Sequence, residues 1–366
     1  MIIRNGLQEI RKRRGMSAAD LARRVGVSRQ TIYAIEDGTF VPNTTVSLQL
    51  ARALDVKVED IFSISEEQAP DSIRADLLPI DQVNEGQPVR LCRVNQRLVA
   101  VPTAFLPAYL PSADAVVESQ KKLSVRTKPP LALPEEGTRL LLAGCDPALS
   151  LLQDALRPSE IEIISVPAAS RLALQWLKQG RVHAAGSHLL DRATGKYNLP
   201  IIRRVFPKAS VRVVTFAVWE QGLAVRRGNP KGIRSVADLA RNRLNIVNRE
   251  KGSGSRDLLD SKLGELGIPS KQVNGYDSIA QGHLAAAHAV ATGEADCCIA
   301  PQSAARCFGL DFVPLAVERF DLSFTRASLE SPAARALLDL LHRSHFRKKL
   351  ESIAGYDTAH TGEVLV

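Results

Sequence analysis

Two places in this 366-residue chain put chemically capable side chains at meaningful spacing. In the first, Arg29 and Gln30 stand at the head of the segment SRQTIYAIEDG. Arg pairs bidentately with guanine and Gln with adenine, so these two residues early in a helix suit the reading of base edges in a DNA major groove. In the second, Gly252-Ser253-Gly254-Ser255-Arg256 follows the strand-like segment LNIVNREK. Glycines let the backbone approach a ligand, free N–H groups at a helix start point at it, and Ser and Arg add directed donors. That set suits an anion and needs no metal.

Reading a groove requires a rigid two-helix frame, and residues 17–38 supply one. Ser17 caps a first helix with Leu21, Ala22 and Val25 on its apolar face, Gly26 permits a sharp turn, and Ser28 caps a second helix. Ile32 and Ile35 face inward on that helix, leaving Arg29, Gln30, Thr31, Tyr33 and Ala34 outward or sideways. Leu7 and Ile10 predict a short leading helix ending in the basic run 11–14. Leu48, Ala51 and Leu54 predict a fourth helix, with Ile61 and Phe62 closing the core. The basic run suits phosphate contact, with a solvated charged face as the alternative.

On SRQTIYAIEDG, Pro42 and the ending LARALDVKVEDIF, residues 5–64 resemble the DNA-binding domain of Cro/C1-type (XRE family) regulators. The resemblance implies base contacts from Arg29, Gln30 and Ala34, and phosphate contacts from Ser17, Ser28, Thr39 and Asn43. Ala18 departs from the pattern, since the family often carries Gln there.

This module needs about sixty residues, so the rest of the chain has room for one or two further domains. A hydrophobic fraction of 45% and a charged fraction of 24% describe a globular protein with a sizeable core. No apolar run is long enough to span a membrane and no signal peptide precedes the first helix, which predicts a cytoplasmic location. Five cysteines, Cys92, Cys145, Cys297, Cys298 and Cys307, lack C-x-x-C spacing, which argues against a disulfide framework and a zinc site and predicts buried reduced thiols. The net charge of +9 originates in the C-terminal part, where residues 192–256 hold 15 basic and 3 acidic side chains. Such a concentration suggests an anionic partner, with a solvated basic face as the alternative.

Between the two parts, SEEQAPDS reads as a linker, and VRLCRVNQRLVAVPTAF as two strands joined near Asn95-Gln96. Tyr109, Pro111 and KKLSVRTKPP suggest further strand and connection ending at Pro129-Pro130. The expectation is a small separate β-rich unit over 67–137, between a helix-turn-helix domain over 1–66 and a third domain over 138–366. From Thr138 strands and helices alternate, which implies a parallel sheet with ligand loops at the carboxyl ends of its strands. The chain is expected to cross between two lobes near 215–225 and return near 310–316.

On AGCDPALSLL, AGSHLLD, GNPKGI, NREKGSGSRDLLD, the G-H-x-x-A-A pattern of 282–287, GEAD and GLDFVPL, residues 138–360 resemble the periplasmic-binding-protein-like ligand domain related to molybdate-binding proteins. Members of that family occur in the cytoplasm, fused to a helix-turn-helix or to molybdopterin-biosynthesis enzymes. The resemblance implies a type 2 two-lobed α/β fold and ligand contacts from Cys145, Ser187, His188, Ser253, Gly254, Ser255, Arg256, Tyr276 and Gln302. Asp146 would repel an oxyanion and is expected to cap the following helix. His188 is either a donor to the anion or a structural histidine on a packed turn.

Neither His183/His188 nor His283/His288 has the i, i+4 spacing of a zincin, and the glycine-serine loop is not a G-x-S-x-G nucleophile elbow. No catalytic residue, cofactor or resident metal is expected. The function expected is a ligand-responsive, homodimeric transcriptional regulator that binds a double-stranded DNA operator under control of a small anion, molybdate or tungstate first. The alternatives are a sensor of an anionic organic metabolite, such as a molybdenum-cofactor precursor, or a molybdenum-handling or biosynthetic accessory protein.

Overall fold

The computed structural model describes residues 2–65, 72–80, 83–102, 112–122, 124–128, 137–206, 210–241 and 243–366. Residues 66–71 of the expected linker, Tyr109, Pro111 and Pro129-Pro130 lie outside them. Of the described residues, those up to Ser65 form one compact unit and those from Ser72 another.

In the N-terminal unit, helices α1 (Leu7–Arg13), α2 (Ala18–Val25), α3 (Arg29–Glu36), α4 (Thr44–Leu54) and α5 (Val58–Ile61) surround a core of Leu7, Leu21, Ile32, Ile35, Leu50 and Ile61. The Oγ of Ser17 accepts from Asp20 N (3.1 Å), that of Ser28 from Thr31 N (3.0 Å), and Asn43 Oδ1 from Val46 N (2.9 Å). Gly26 makes the turn between α2 and α3 with φ +76°. A two-stranded ribbon of β1 (Ile2–Asn5) and β2 (Phe62–Ser65) joins the two ends of the unit, an element the sequence did not signal.

Two expectations about side chains are corrected here. Leu48 is 58% exposed, and Leu50 fills the core instead. The two lie about 200° apart around a helix, so only one can face inward. Arg11 leaves the basic run: its Nε donates to Glu36 Oε1 (2.6 Å) and its Nη1 to Met16 O (2.9 Å) in the interior, which removes it from phosphate contact.

The second unit opens with a closed barrel of β3 (Ile73–Leu77), β4 (Pro88–Val94), β5 (Arg97–Pro102), β6 (Ala115–Lys121) and β7 (Ser124–Lys128), in the order β3-β5-β4-β6-β7. Its β-rich character is as expected, but it is not separate. Strand alternation puts Val89, Leu91 and Ala100 inside the barrel and Cys92, Val94, Val99 and Val101 on its outer face. That outer face shares one core with Leu141, Ile164 and Trp176 of the following domain.

Charges reinforce the junction. Arg139 donates to both oxygens of Asp114 (2.7 and 2.9 Å) and pairs with Glu162 (2.6 Å), which Arg90 also reaches (2.5 Å). Burial raises the Asp114 pKa, but the hydrogen bonds from Arg139 and Leu91 N and the charge of Arg90 outweigh it and hold it below the usual carboxylate value. A depressed folded pKa stabilises the protein above the unfolded value, and that stabilisation is lost as pH falls through the folded value. Asp114→Ala is therefore expected to destabilise the full chain by roughly 3 kcal/mol at pH 7. In melting curves the gap from wild type should shrink below about pH 4; a gap constant with pH would refute the ionic origin.

The remaining elements build two lobes. One six-stranded sheet runs β16-β13-β17-β10-β8-β9, made of β8 (Arg139–Gly144), β9 (Glu162–Pro167), β10 (Ala184–Ser187), β13 (Val211–Val225), β16 (Cys297–Pro301) and β17 (Asp311–Thr325). Two small pairs, β11 (Leu190–Asp191) with β12 (Lys196–Tyr197) and β14 (Asn248–Arg249) with β15 (Ile279–Ala280), complete the strands. The long antiparallel strands β13 and β17 belong to both lobes, close to where the crossings were expected. The C-terminal part of β17 pairs with β10 of the first lobe, and the C-terminal part of β13 pairs with β16 of the second.

Helices α6 (Ser150–Leu156), α7 (Ser170–Lys178), α8 (Leu199–Val205), α13 (Pro332–His342) and α14 (Ser344–Lys349) cover the first lobe. Helices α9 (Gly254–Glu265), α10 (His283–Thr292) and α11 (Gln302–Cys307) cover the second, and α12 (Arg326–Leu329) follows β17. No helix among the described residues is long and apolar enough to cross a membrane.

Candidate functional site

Loops at the carboxyl ends of strands converge between the lobes, where open α/β sheets hold their ligands. Cys145 follows β8 and His188 follows β10 in the first lobe, while Arg249 ends β14 and His283 begins α10 in the second. Glu318 and Trp219 come from the shared strands β17 and β13. The lobes are drawn together: Arg171 Nη2 reaches Asp257 Oδ2 (3.0 Å), Arg171 N donates to Gly252 O (3.4 Å), and Arg192 Nη2 donates to Asp257 O (3.1 Å).

At the centre runs a buried polar chain. Cys145 Sγ lies 3.2 Å from His188 Nε2, His188 Nδ1 lies 2.7 Å from Glu318 Oε2, and Trp219 Nε1 donates to the same oxygen (3.3 Å). Burial works to lower the His188 pKa, but Cys145 and Glu318 outweigh it and hold it up at about 10. The His283 ring sits 5.6 Å from that of His188, and burial followed by the charges of Arg249 and His188 drives its pKa well down. Both His283 ring nitrogens are buried without a hydrogen-bond partner, as are Arg249 Nη1, Gln221 Nε2 and Ser187 Oγ. Arg249 spends its other nitrogens on Glu250, at 2.7 and 2.8 Å.

Cys145 and Arg249 border a cavity of about 530 Å³, walled also by Ile80, Ala168, Leu172 and Trp176. Ile80 brings the segment after β3 to the ligand domain, a second reason the barrel is not separate.

The residues implied by the resemblance separate into three groups. Cys145, His188 and Gly254 meet, and the close approach requires glycine: a Cβ on residue 254 would lie 2.4 Å from His188 O and 2.5 Å from its ring. Ser187 is fully buried nearby, and Ser255 Oγ lies 3.4 Å from Gln221 Oε1. Ser253 is occupied in capping α9, its Oγ donating to Glu250 O (2.8 Å).

Arg256 and Tyr276 engage each other and are not among the residues bordering the cavity. The Arg256 guanidinium lies over the Tyr276 ring at 4.7 Å and donates to Arg249 O, while Tyr276 OH donates to Asp260 (2.6 Å). Gln302 begins α11, half-buried, and is not among the residues bordering the cavity. Asp146 caps as expected, accepting from Ala148 N (2.8 Å), and also accepts from Tyr356 OH (2.6 Å).

Sequence reasoning missed Arg249, Gln221, Glu318 and Trp219 as members of this site. The available signal was a carboxylate and an amide in two long apolar strands, VERFDLSF and VWEQGLAV. Among the described residues, five basic side chains of the segment 192–256 pair with acids: Arg204 with Asp191, Arg226 and Lys231 with Asp296, Arg241 with Asp238, and Arg249, at the site, with Glu250. The expectation against zinc from cysteine spacing holds only for a local motif. Among the described residues, Cys145, His188 and His283 bring ligand atoms from three distant segments within 4.8 Å of one another.

In the N-terminal unit, Arg29 and Gln30 are exposed at the start of α3, with Thr31 and Ala34 half-buried beside them. Arg29 Nη2 donates to Tyr33 OH (2.8 Å), and its guanidinium lies 5.3 Å from the Tyr33 ring centroid. Thr39 Oγ1 donates to Ala34 O (3.1 Å).

Fold and sites together define a helix-turn-helix module joined to a two-lobed ligand-binding domain. The chain belongs to the family described as PBP superfamily domain, whose model matches residues 152–342, and a helix-turn-helix model matches residues 7–61. The uncharacterized protein YvgK of Bacillus subtilis (strain 168) is 31% identical over 277 residues, covering 71% of this chain and 89% of that protein. The uncharacterized HTH-type transcriptional regulator YgzD of the same organism is 42% identical over 65 residues, 18% of this chain and 98% of that protein. The sulfate-binding protein SubI from Mycobacterium tuberculosis H37Rv aligns with a TM-score of 0.45 at 18% identity, over 60% of this chain and 86% of that chain. The chain is thus a DNA-binding regulator of helix-turn-helix type fused to a PBP-like ligand-binding domain.

Proposed function

We propose that this regulator senses a small anion between its lobes and adjusts operator binding accordingly. The observation that carries the proposal is Arg249, buried to 1% exposure with Nη1 unpartnered beside Cys145 at the cavity. A buried donor without a partner costs about 1–3 kcal/mol, which an anionic acceptor returns. Gln221 Nε2, next to Ser255 but not among the residues bordering the cavity, is a further buried donor without a partner. Arg29, Gln30 and Ala34 read bases, Ser17, Ser28, Thr39 and Asn43 contact phosphates, and Thr31 and Tyr33 complete the DNA-binding face of α3. Operator specificity requires a homodimer, since one recognition helix spans too few base pairs. Ligand controls DNA binding only through different affinities for the arrangements of the dimer.

The cavity supports a second choice of ligand within this function. Its volume of about 530 Å³ and walls of Ile80, Leu172 and Trp176 suit an organic acid better than a bare tetrahedral oxyanion. Molybdate and tungstate remain the inorganic competitors.

The test is the melting temperature of the full chain against molybdate, tungstate, sulfate, phosphate and a panel of organic acids, because a ligand selective for the native state must raise it. A fragment beginning at 138 is unsuitable, since it would strip Cys92, Val94, Val99 and Val101 from a shared core. The expected result is a selective rise with one anion that also changes affinity for a two-half-site operator selected from random DNA. An anion-indifferent melting curve would sink the sensor, and a chain monomeric on its operator would sink the dimer.

A further inference from the structure

We propose that Cys145, His188 and His283 bind a borderline-soft d-block cation of the Zn²⁺ type, which pins the two lobes together. This goes beyond the anion reading and does not depend on it.

The donor set is one thiol and two imidazoles, the ligand types that select zinc and its neighbours over magnesium or calcium. Around a tetrahedral Zn²⁺, sulfur at about 2.3 Å and nitrogen at about 2.0 Å stand about 3.5 Å from each other. Cys145 Sγ and His188 Nε2 are already 3.2 Å apart, and His283 lies within the 4.8 Å cluster. About an ångström of closure brings all three onto one ion.

Three further observations converge. Glu318 holds His188 Nδ1, which leaves Nε2 directed to Cys145 and supplies the carboxylate that metal-bound histidines characteristically carry on their other nitrogen. His283 is 1% exposed and both of its nitrogens lack partners, an arrangement that hydrogen bonding within the fold does not explain. Charge also balances: the Cys145 thiolate and the Glu318 carboxylate match a divalent ion, while Glu250 matches Arg249 at 2.7 and 2.8 Å. Three protein ligands leave one position for water or an anion.

The ligands divide between lobes, Cys145 and His188 on one and His283 on the other. Bridging therefore favours the closed form, because the ion meets its full set only there.

The test is cobalt substitution of the chelator-stripped, reduced full chain. The expected result is a tetrahedral ligand-field spectrum with a thiolate-to-cobalt charge-transfer band, displaced by Zn²⁺. Cys145→Ser should abolish that band, His283→Gln should weaken Co²⁺ binding at least tenfold, and Glu318→Gln should weaken it 10- to 100-fold. Cys307→Ser, at an exposed cysteine, should change nothing. Metal-free melting curves monitor the fold of each variant. X-ray absorption of the unmutated zinc form supplies a readout without mutation, with one sulfur near 2.3 Å and two nitrogens near 2.0 Å expected. No charge-transfer band in the wild type, its survival in Cys145→Ser, or a zinc shell without sulfur would each overturn the proposal.

Discussion

Gly254→Val is expected to hold the lobes apart and weaken the anion selected by the melting panel roughly 10- to 100-fold, while leaving metal-free stability close to wild type. The added side chain starts at a Cβ 2.4 Å from His188 O and 2.5 Å from the His188 ring. The first atom is backbone, and the ring is fixed between Cys145 and Glu318, so neither yields cheaply. Overpacking costs about 1–3 kcal/mol, and here only the closed form bears that cost, because Gly254 and His188 belong to different lobes. Apparent affinity falls with the fraction of closed protein. Calorimetry gives the affinity, and small-angle scattering should show an expanded second unit that no longer contracts with anion. Wild-type affinity in Gly254→Val would show that the ligand does not require this closure.

In the Arg29→Ala/Gln30→Ala double variant, operator affinity should drop by roughly two orders of magnitude or more. Each bidentate base contact is worth about 1–3 kcal/mol, and adjacent contacts on α3 add approximately. Both residues are exposed, so folding should be unaffected. Arg29 is also pre-oriented, since Tyr33 OH accepts from Nη2 at 2.8 Å, and Tyr33→Phe should produce a smaller loss of the same kind. Anisotropy titrations must be made at one fixed salt concentration, because the phosphate contribution varies steeply with ionic strength. If the double variant kept the wild-type preference between cognate and mismatched DNA, α3 would not be the base-reading element.

The helix-turn-helix was legible because its signals are local. Caps, a turn glycine and 3.6-residue periodicity all operate within a few residues, and Ser17, Gly26, Ser28, Ile32 and Ile35 do what their types and spacing predict. The error at Leu48 shows the limit of periodicity where two leucines compete for one inward position. The alternation of strands and helices after Thr138 likewise announced the α/β domain, and the two long apolar strands announced the lobe crossings.

Other features join residues far apart in the chain, and no local pattern specifies such pairs. The ribbon of β1 and β2 pairs Asn5 with Phe62, and the outer barrel face finds its partner in Leu141, Ile164 and Trp176. Arg256 looked like an anion ligand from its place after a glycine-serine loop, yet Tyr276, brought beside it by the fold of its own lobe, takes the guanidinium.

By itself, then, the sequence determined the helices of the helix-turn-helix, the alternation of strands and helices after Thr138, the exposed Arg29 and Gln30 at the start of α3, and the glycine-serine entry to α9, because short-range sterics, capping and hydrophobic periodicity dictate them. Only the tertiary structure decided that Cys145, His188, Glu318, His283 and Arg249 share one buried centre. Their meeting depends on the register of β13 against β17 and on closure of one lobe over the other, and both follow from packing summed over the whole unit.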